Sequence, residues 1–395
     1  MKFKHLLLAV AALAIGSTAE AQTTADEDTQ IHRDFVEAEK RDREWAKKYD
    51  ALQELVEEAE KEQKQSEEIA ALQERVAELE KEQKKSKAKA FADQYLKLSG
   101  YLQAGVQWDE SASNPTTFYL RRARVSLSGS VEKAKLDYRL QVDMAGTPKV
   151  CDLYMRYKPF TALNIQLGQF KLPFSLENEL YGPTKFELIE YSYLTSMLVR
   201  NDKTYDGISA TGRDMGAQIY GGFINKDGFS IINYNIGVFN GSGINGKDTN
   251  SSKDVIGRLI IKPIKGLSLS GSYMYGETNY NGDNYMKSPR WSVGAIYDVR
   301  HWIARAEYAS AKFGDVKTDA FYALAGYHFE KPWSVVARYE FINDNIDCLK
   351  RDRITVGAVY KPIKYLRMQL NYSYTIDKVA TRNSNGINFM VSAIF

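Results

Sequence analysis

With 395 residues, the chain is long enough for two ordinary domains or for one large β-barrel carrying an appendage. A formal net charge of +3 gives no reason to expect nucleic-acid binding, and two cysteines, Cys151 and Cys348, are too few for a disulfide framework. The 26 Tyr, 17 Phe and 5 Trp crowd into the region after about residue 95, so the chain has two compositionally distinct parts.

Lys2 and Lys4 precede an apolar run, Leu6 to Ile15, and then the small-x-small site Ala19-Glu20-Ala21. This pattern predicts a signal peptide over 1–21 with cleavage after Ala21, and therefore export. No later stretch of about 18 consecutive apolar residues occurs, so no transmembrane helix can be drawn. An exported chain of this kind is soluble or crosses a membrane as strands.

Residues 31–90 are rich in Glu, Lys, Gln and Ala and contain no Gly or Pro, a composition that favours helix. ALQELVEEAEKEQKQS (Ala51 to Ser66) returns as ALQERVAELEKEQKKS (Ala71 to Ser86). Trp45, Tyr49, Leu52, Val56 and Ala59 follow heptad spacing, and Ile69, Leu72, Val76 and Leu79 form a second, offset seam. The seams predict a self-associating coiled-coil arm over 22–90. The alternative is a solvated single helix laced with Glu and Lys pairs.

Beyond Phe91 the period changes to two residues. Leu96, Leu98, Leu102, Ala104, Val106 and Trp108 alternate with Lys97, Ser99, Tyr101, Gln103 and Gln107, and Trp333, Val335, Ala337, Tyr339 and Phe341 alternate with Ser334, Arg338 and Glu340. About 16 such runs follow one another to Phe395, each near the length that a tilted strand needs to cross the hydrocarbon core. Tight turns such as Lys158-Pro159, Lys262-Pro263, Lys331-Pro332 and Lys361-Pro362 alternate with polar loops such as Gly241 to Ser252 and Tyr280 to Ser288. The expected fold is an all-β transmembrane barrel of about 16 antiparallel strands over 91–395, in the outer membrane, with its N-terminal α-helical arm in the periplasm. A soluble β-sandwich would also alternate, but it would not call for aromatic residues at so many strand ends. The stretch 172–212 does not alternate and is too long for a hairpin loop; it either folds into the lumen or lies over the outer surface.

The segments FYLRRARVSLSGSVEKAKLDYRLQVDMA (Phe118 to Ala145), LYMRYKPFTALNIQLGQFKLPFSLE (Leu153 to Glu177) and IGVFNGSG (Ile236 to Gly243) resemble the phosphate-selective porin O and P family. GQFKLPFSLE, after an amphipathic strand, is the most specific part. The resemblance implies a homotrimer of 16-stranded channels in the outer-membrane lipid bilayer, a long third loop that enters the lumen, and basic residues that select anions. The helical arm departs from that pattern, and the family's lumenal arginine and lysine positions do not align residue by residue.

If the apolar set faces lipid, the opposite face supplies Arg122, Arg124, Lys135, Arg139, Arg156, Lys158, Arg258, Lys262, Arg305, Arg338, Lys361 and Arg367, against Asp137, Asp143, Asp152, Asp298, Glu307 and Glu340. An excess of positive charge in a narrow low-dielectric channel favours anions. The candidate anion contacts are Arg122, Arg124, Arg139, Arg156, Lys158, Arg258, Arg305 and Arg338 on strands, with Lys171, Lys185, Arg200, Lys203 and Arg213 in or beside the long loop. Alternatively these arginines pair with neighbouring carboxylates and only brace the wall, and Glu177, Glu179, Glu187 and Glu190 neutralise the loop.

Enzymatic readings have little to rest on. Of four histidines, His5 lies in the signal segment, His32 at the arm, His301 in a predicted turn and His328 on a strand, with no nucleophile elbow and no metal-ligand spacing nearby. No cofactor is expected. Cys151 and Cys348 are either two free thiols or a bridge between loops on one side of the barrel. The reading is an outer-membrane porin for passive diffusion of small anions, including phosphate, or of other small polar solutes. The competing class is a structural anchor that tethers the envelope by contact of its coiled coil with the cell wall. Oligosaccharide specificity would call for an aromatic track such as Tyr101, Tyr154 and Tyr322.

Overall fold

The computed structural model describes residues 36–37, 39–51, 54, 74–86, 95–199, 211–226, 228–248, 250–280, 284–330 and 332–395. The expected signal peptide, most of the 20-residue repeat, His32, Arg200 and Lys203 lie outside the described residues. The chain divides into two compact units, 1–89 and 90–395.

In the first unit the described residues form two helices, α1 (39–51) and α2 (74–86). Trp45 and Tyr49 of one expected seam, with Val76 and Leu79 of the other, line a single apolar cavity of about 460 Å³. The helical expectation therefore holds for these stretches. A heptad-paired coiled coil is not among what they show.

In the second unit sixteen strands close on themselves. They are β1 (Lys97–Asp109), β2 (Thr116–Val131), β3 (Leu136–Asp143), β4 (Lys149–Phe160), β5 (Leu163–Lys171), β6 (Arg213–Lys226), β7 (Phe229–Phe239), β8 (Asp254–Ile261) and β9 (Leu267–Tyr275), followed by β12 (Arg290–Asp298), β13 (Trp302–Phe313), β14 (Val316–His328), β15 (Trp333–Asp344), β16 (Lys350–Ile363), β17 (Leu366–Asp377) and β18 (Arg382–Ile394). All pair antiparallel with their neighbours. A small hairpin, β10 (Glu277–Tyr280) and β11 (Asn284–Lys287), rides on the loop after β9. β1 pairs with β18 from Tyr101↔Ile394 to Asp109↔Gly386, and Gly100 and the terminal Phe395 exchange both backbone hydrogen bonds, at 2.8 and 3.0 Å. The seam leaves no sheet edge, which is what hydrocarbon requires of a spanning sheet.

Each strand is solvated the opposite way from a soluble one. On β15, Trp333, Val335 and Tyr339 are exposed on the outside while Arg338 and Glu340 are buried inside. Trp333 stacks on Tyr360 with ring centroids 4.3 Å apart, and Trp302, Tyr327 and Phe329 form a second aromatic group at the same, short-turn end. These rings sit where interfacial aromatics are expected. The β1–β2 register shifts between Gln103 and Ala104, so that Arg121 is the extra residue of a bulge opposite them.

The lumen is not polar throughout. Inward positions of β13 to β15 include Ala309, Ala311, Phe313, Ala320, Tyr322, Leu324, Val336 and Ile342, and they form one core with Phe186, Leu188, Tyr191, Leu194 and Leu198 of the long loop. A second cluster joins Phe170, Leu172, Phe174 and Val199 to Phe239, Ile256 and Met274. The described part of the loop after β5, residues 172–199, is therefore packed inside the barrel. Within it run two short helices, α3 (Leu176–Leu180) and α4 (Tyr193–Leu198). Cys151 is buried on β4, Cys348 is exposed in the loop after β15, and both are free.

Gly168 gives GQFKLPFSLE its first physical meaning. Its φ is +127°, and a Cβ there would lie 2.2 Å from the Leu153 carbonyl on β4, so only glycine lets the two backbones approach. Gly168→Ala is expected to cost on the order of 1–3 kcal/mol and to lower the urea midpoint of the folded barrel. Gly257→Ala, with open space around the added carbon, should leave that midpoint unchanged.

Candidate functional site

The site is built by fastening the long loop to the wall. Arg305 pairs with Glu187 and lies under the Tyr181 ring at 3.7 Å; Arg258 pairs with Glu179. Arg338 holds Glu340 at 2.8 Å and Glu177 at 3.7 Å and donates to the Glu190 carbonyl at 2.9 Å. Arg353 reaches the same Glu340 at 2.7 Å, with its guanidinium 4.2 Å from the Tyr193 ring. Glu340 in turn accepts from the Tyr193 amide at 2.5 Å. Arg121, turned inward by the bulge, grips both carboxylate oxygens of Glu190 at 2.5 and 2.9 Å. Arg367 and Gln369 donate to the Phe186 carbonyl, and Arg290 donates to that of Leu198 at 2.8 Å.

Carboxylates of the wall hold the loop as well. Ser175 has φ +64°, a conformation that a non-glycine residue adopts only when its surroundings impose it. Its hydroxyl and the Leu176 amide both donate to Glu307, each at 3.0 Å.

These contacts sort the candidate residues. Arg258, Arg305 and Arg338, expected to face open lumen, are buried against loop carboxylates, and the Arg338 side chain is 0 % exposed. They hold the loop and do not front the passage, because the apolar lumen wall of β13 to β15 draws the loop over Arg305 and Arg338, and the cluster that includes Ile256 draws it over Arg258. Arg122 is buried and bonds Gln103 at 2.9 Å. Tyr322 lies under the loop, fully buried, so the three tyrosines do not form a track.

Arg124, Arg139, Arg156, Lys171 and Lys185 come together, whereas Lys158 is not on the lining they share. Between the loop and the β1–β6 wall lies an open cavity of about 380 Å³, lined by Arg124, Arg139, Arg156, Lys171, Lys185 and Arg213 against Asp152 and Glu179. Asp152 is shared by Arg213 at 2.6 Å and Arg139 at 3.5 Å. Arg124 is held by Asp143 at 2.7 Å and by the Tyr101 hydroxyl at 3.2 Å. Asp137 pairs with Arg156 at 3.4 Å and with Lys158 at 2.6 Å. Bracing and exposure thus coexist: the Arg139 side chain keeps 37 % of its surface open although it is paired. Lys171 is tied to the Asn178 carbonyl at 2.5 Å. Sequence reasoning missed Arg121, Arg290 and Arg353. The one-residue slip at the bulge hides Arg121, and the others stand at ordinary inward positions whose loop partners sequence does not reveal.

A closed sixteen-stranded barrel with an apolar outer face and a loop-narrowed polar interior defines an outer-membrane channel for small solutes. The chain belongs to the phosphate-selective porin O and P family, whose model matches residues 96–392. No curated protein matches it. The fold is similar to that of the anion-selective porin from Comamonas acidovorans (15 % identity, 76 % of this chain and 99 % of that one, TM-score 0.62). It is also similar to OprB of Pseudomonas putida (10 %, 78 % and 96 %, TM-score 0.63) and to the outer membrane channel DcaP of Acinetobacter baumannii (13 %, 76 % and 97 %, TM-score 0.57).

Removing Arg338 would strand Glu177 beside an under-compensated Glu340. Arg338→Ala is expected to cost about 3–5 kcal/mol, to loosen the loop, and to raise single-channel conductance and its open-state noise relative to the parent. Unchanged conductance would show that the loop does not depend on this clamp.

For Glu190, burial pushes the carboxyl up, but the guanidiniums of Arg121, Arg353 and Arg122 outweigh it and hold the group at about 2. A carboxylate depressed in the folded state contributes fully above its ordinary range and is lost only as pH falls through the folded value. The Arg121–Glu190 contact should therefore survive acidification from pH 7 to about pH 4. Charge-neutral Glu190→Gln should raise open-channel noise at pH 7 to a level that the parent does not reach at pH 4.

Proposed function

We propose that this porin passes small anions in preference to cations, and that the passage between the inward loop and the β1–β6 wall is its filter. The observation that carries the reading is the imbalance there: six basic side chains, Arg124, Arg139, Arg156, Lys171, Lys185 and Arg213, line the cavity with two acidic ones, Asp152 and Glu179. In a channel walled by low-dielectric protein and lipid, uncompensated charge is focused onto the path and raises counter-ion occupancy. Arg139, oriented by Asp152 and still 37 % open, presents a planar donor fork suited to oxyanions, which brings phosphate within the class of solutes. The similar fold from Comamonas acidovorans is described as anion-selective, the same sign of preference.

Two further parts of the reading concern assembly. β1 begins at the short-turn end of the barrel, the periplasmic end by the usual disposition of turns and loops, so the helical segment before it belongs to the periplasm. There its apolar seam residues serve self-association of a trimer and reach toward the cell wall. Deleting residues 26–89 should lower the trimer fraction in mild detergent; an unchanged fraction would remove assembly from the arm's roles.

Planar-bilayer recording across a potassium chloride gradient tests the filter. The expected reversal potential has the anion-selective sign, millimolar phosphate reduces the chloride current, and Arg139→Glu with Lys185→Glu moves the reversal potential toward zero or beyond. A cation-selective or unselective parent channel would retire the filter. A folded barrel with no conductance would favour the anchor reading.

A further inference from the structure

A second cavity, of about 310 Å³, opens in the outer half of the lumen where β1 meets β16, β17 and β18. Its volume is at the lower end of the small-molecule range, and its chemistry differs from that of the basic passage. Of its charged groups, Glu190 is taken by Arg121, Arg353 by Glu340 at 2.7 Å, and Asp109 by the Ser111 amide and hydroxyl at 2.8 and 2.6 Å. What remains is neutral hydrogen-bonding capacity.

Gln107, Thr375 and Ser384 line the cavity and make no side-chain hydrogen bond among the described residues. The Thr355 hydroxyl is the sharper observation: the residue is 4 % exposed, faces the same cavity, and its oxygen has no partner. A buried hydroxyl without a partner carries an unmet desolvation cost, which a ligand hydroxyl meets. Strand pairing sets Thr355 opposite Ser373 and Thr375 opposite Ser384, so donors and acceptors recur at about 4.8 Å, the strand spacing. Groups that both donate and accept at that repeat suit the edges of a hydroxylated ring. Compensated charges give an anion no advantage there.

The geometry points to a capture site in the outer vestibule for a neutral polyhydroxylated solute of about one sugar ring. It does not rest on the sign of the channel's ion preference. Saturation-transfer NMR with glucose on the detergent-purified full-length protein reads binding directly, with polyethylene glycol of similar size as the control. Saturable transfer to glucose and none to the polymer is expected. Thr355→Val and Ser384→Ala, each checked for a folded barrel by circular dichroism, should each weaken binding by a few-fold to about tenfold. Arg139→Glu should leave glucose binding unchanged while altering the reversal potential. Equal signals from glucose and polymer, or binding unaffected in both vestibule variants, would overturn the site. Loss of anion preference with glucose binding intact would overturn the filter alone.

Discussion

A sheet in hydrocarbon has nowhere to place an unpaired backbone edge, and the pairing of β1 with β18 is where this chain meets that constraint. Once the seam is closed, every strand has one face in lipid and one facing inward, and the two-residue side-chain period does the rest. Leu98, Leu102 and Phe118 stand outside, whereas Arg124, Arg213 and Arg338 stand inside. Closure also confines the inward charges between low-dielectric walls, where a guanidinium that is covered without a partner is costly.

The inward loop resolves that cost and creates the passage. It brings Glu177, Glu179, Glu187 and Glu190 to Arg338, Arg258, Arg305 and Arg121, and it covers the apolar lumen wall formed by Ala309, Ala311, Ala320 and Leu324. Neither contribution suffices by itself. Buried ion pairs add little net stability but penalise every misplacement, while the apolar contacts supply the driving force. The loop thereby consumes Arg305 and Arg338 on the β12–β17 side, with Arg258 on β8 and Arg121 on β2, and leaves Arg139 and Lys185 open at the passage. The asymmetry of the channel follows from where the loop lies.

Much of this was legible beforehand, for a physical reason. Alternation such as Trp333, Val335, Ala337, Tyr339 against Ser334, Arg338, Glu340 is imposed by the lipid–lumen difference at every position, so strand faces and turns read directly from residue type. The loop's location was not fixed, although a signal existed: Ala309, Ala311, Phe313 and Ala320 are apolar at positions that should be polar if water faced them. Its meaning depends on strand register across three strands. Arg258, Arg305 and Arg338 could be placed on the inner face, but their loop partners Glu179, Glu187 and Glu177 lie far off in the sequence, in a segment without periodicity. The bulge that turns Arg121 inward is marked only by a change of parity, the outward apolar set passing from Phe118 and Leu120 to Ala123, Val125 and Leu127. In the helical segment Trp45, Tyr49, Val76 and Leu79, read as seams for self-association, line the cavity between α1 and α2; spacing does not specify which helix pairs with which.

The central claim is that the loop edge and the β1–β6 wall enclose a passage with a positive field. Thr184 lines that cavity from the loop side and is uncharged, so a thiol there reports the field without altering it. In a Cys348→Ser background, with Cys151 buried, Thr184→Cys should react several-fold faster with an anionic methanethiosulfonate reagent than with a cationic one, after normalising each to its rate with a free thiol. Equal normalised rates, or a faster cationic reaction, would contradict the account.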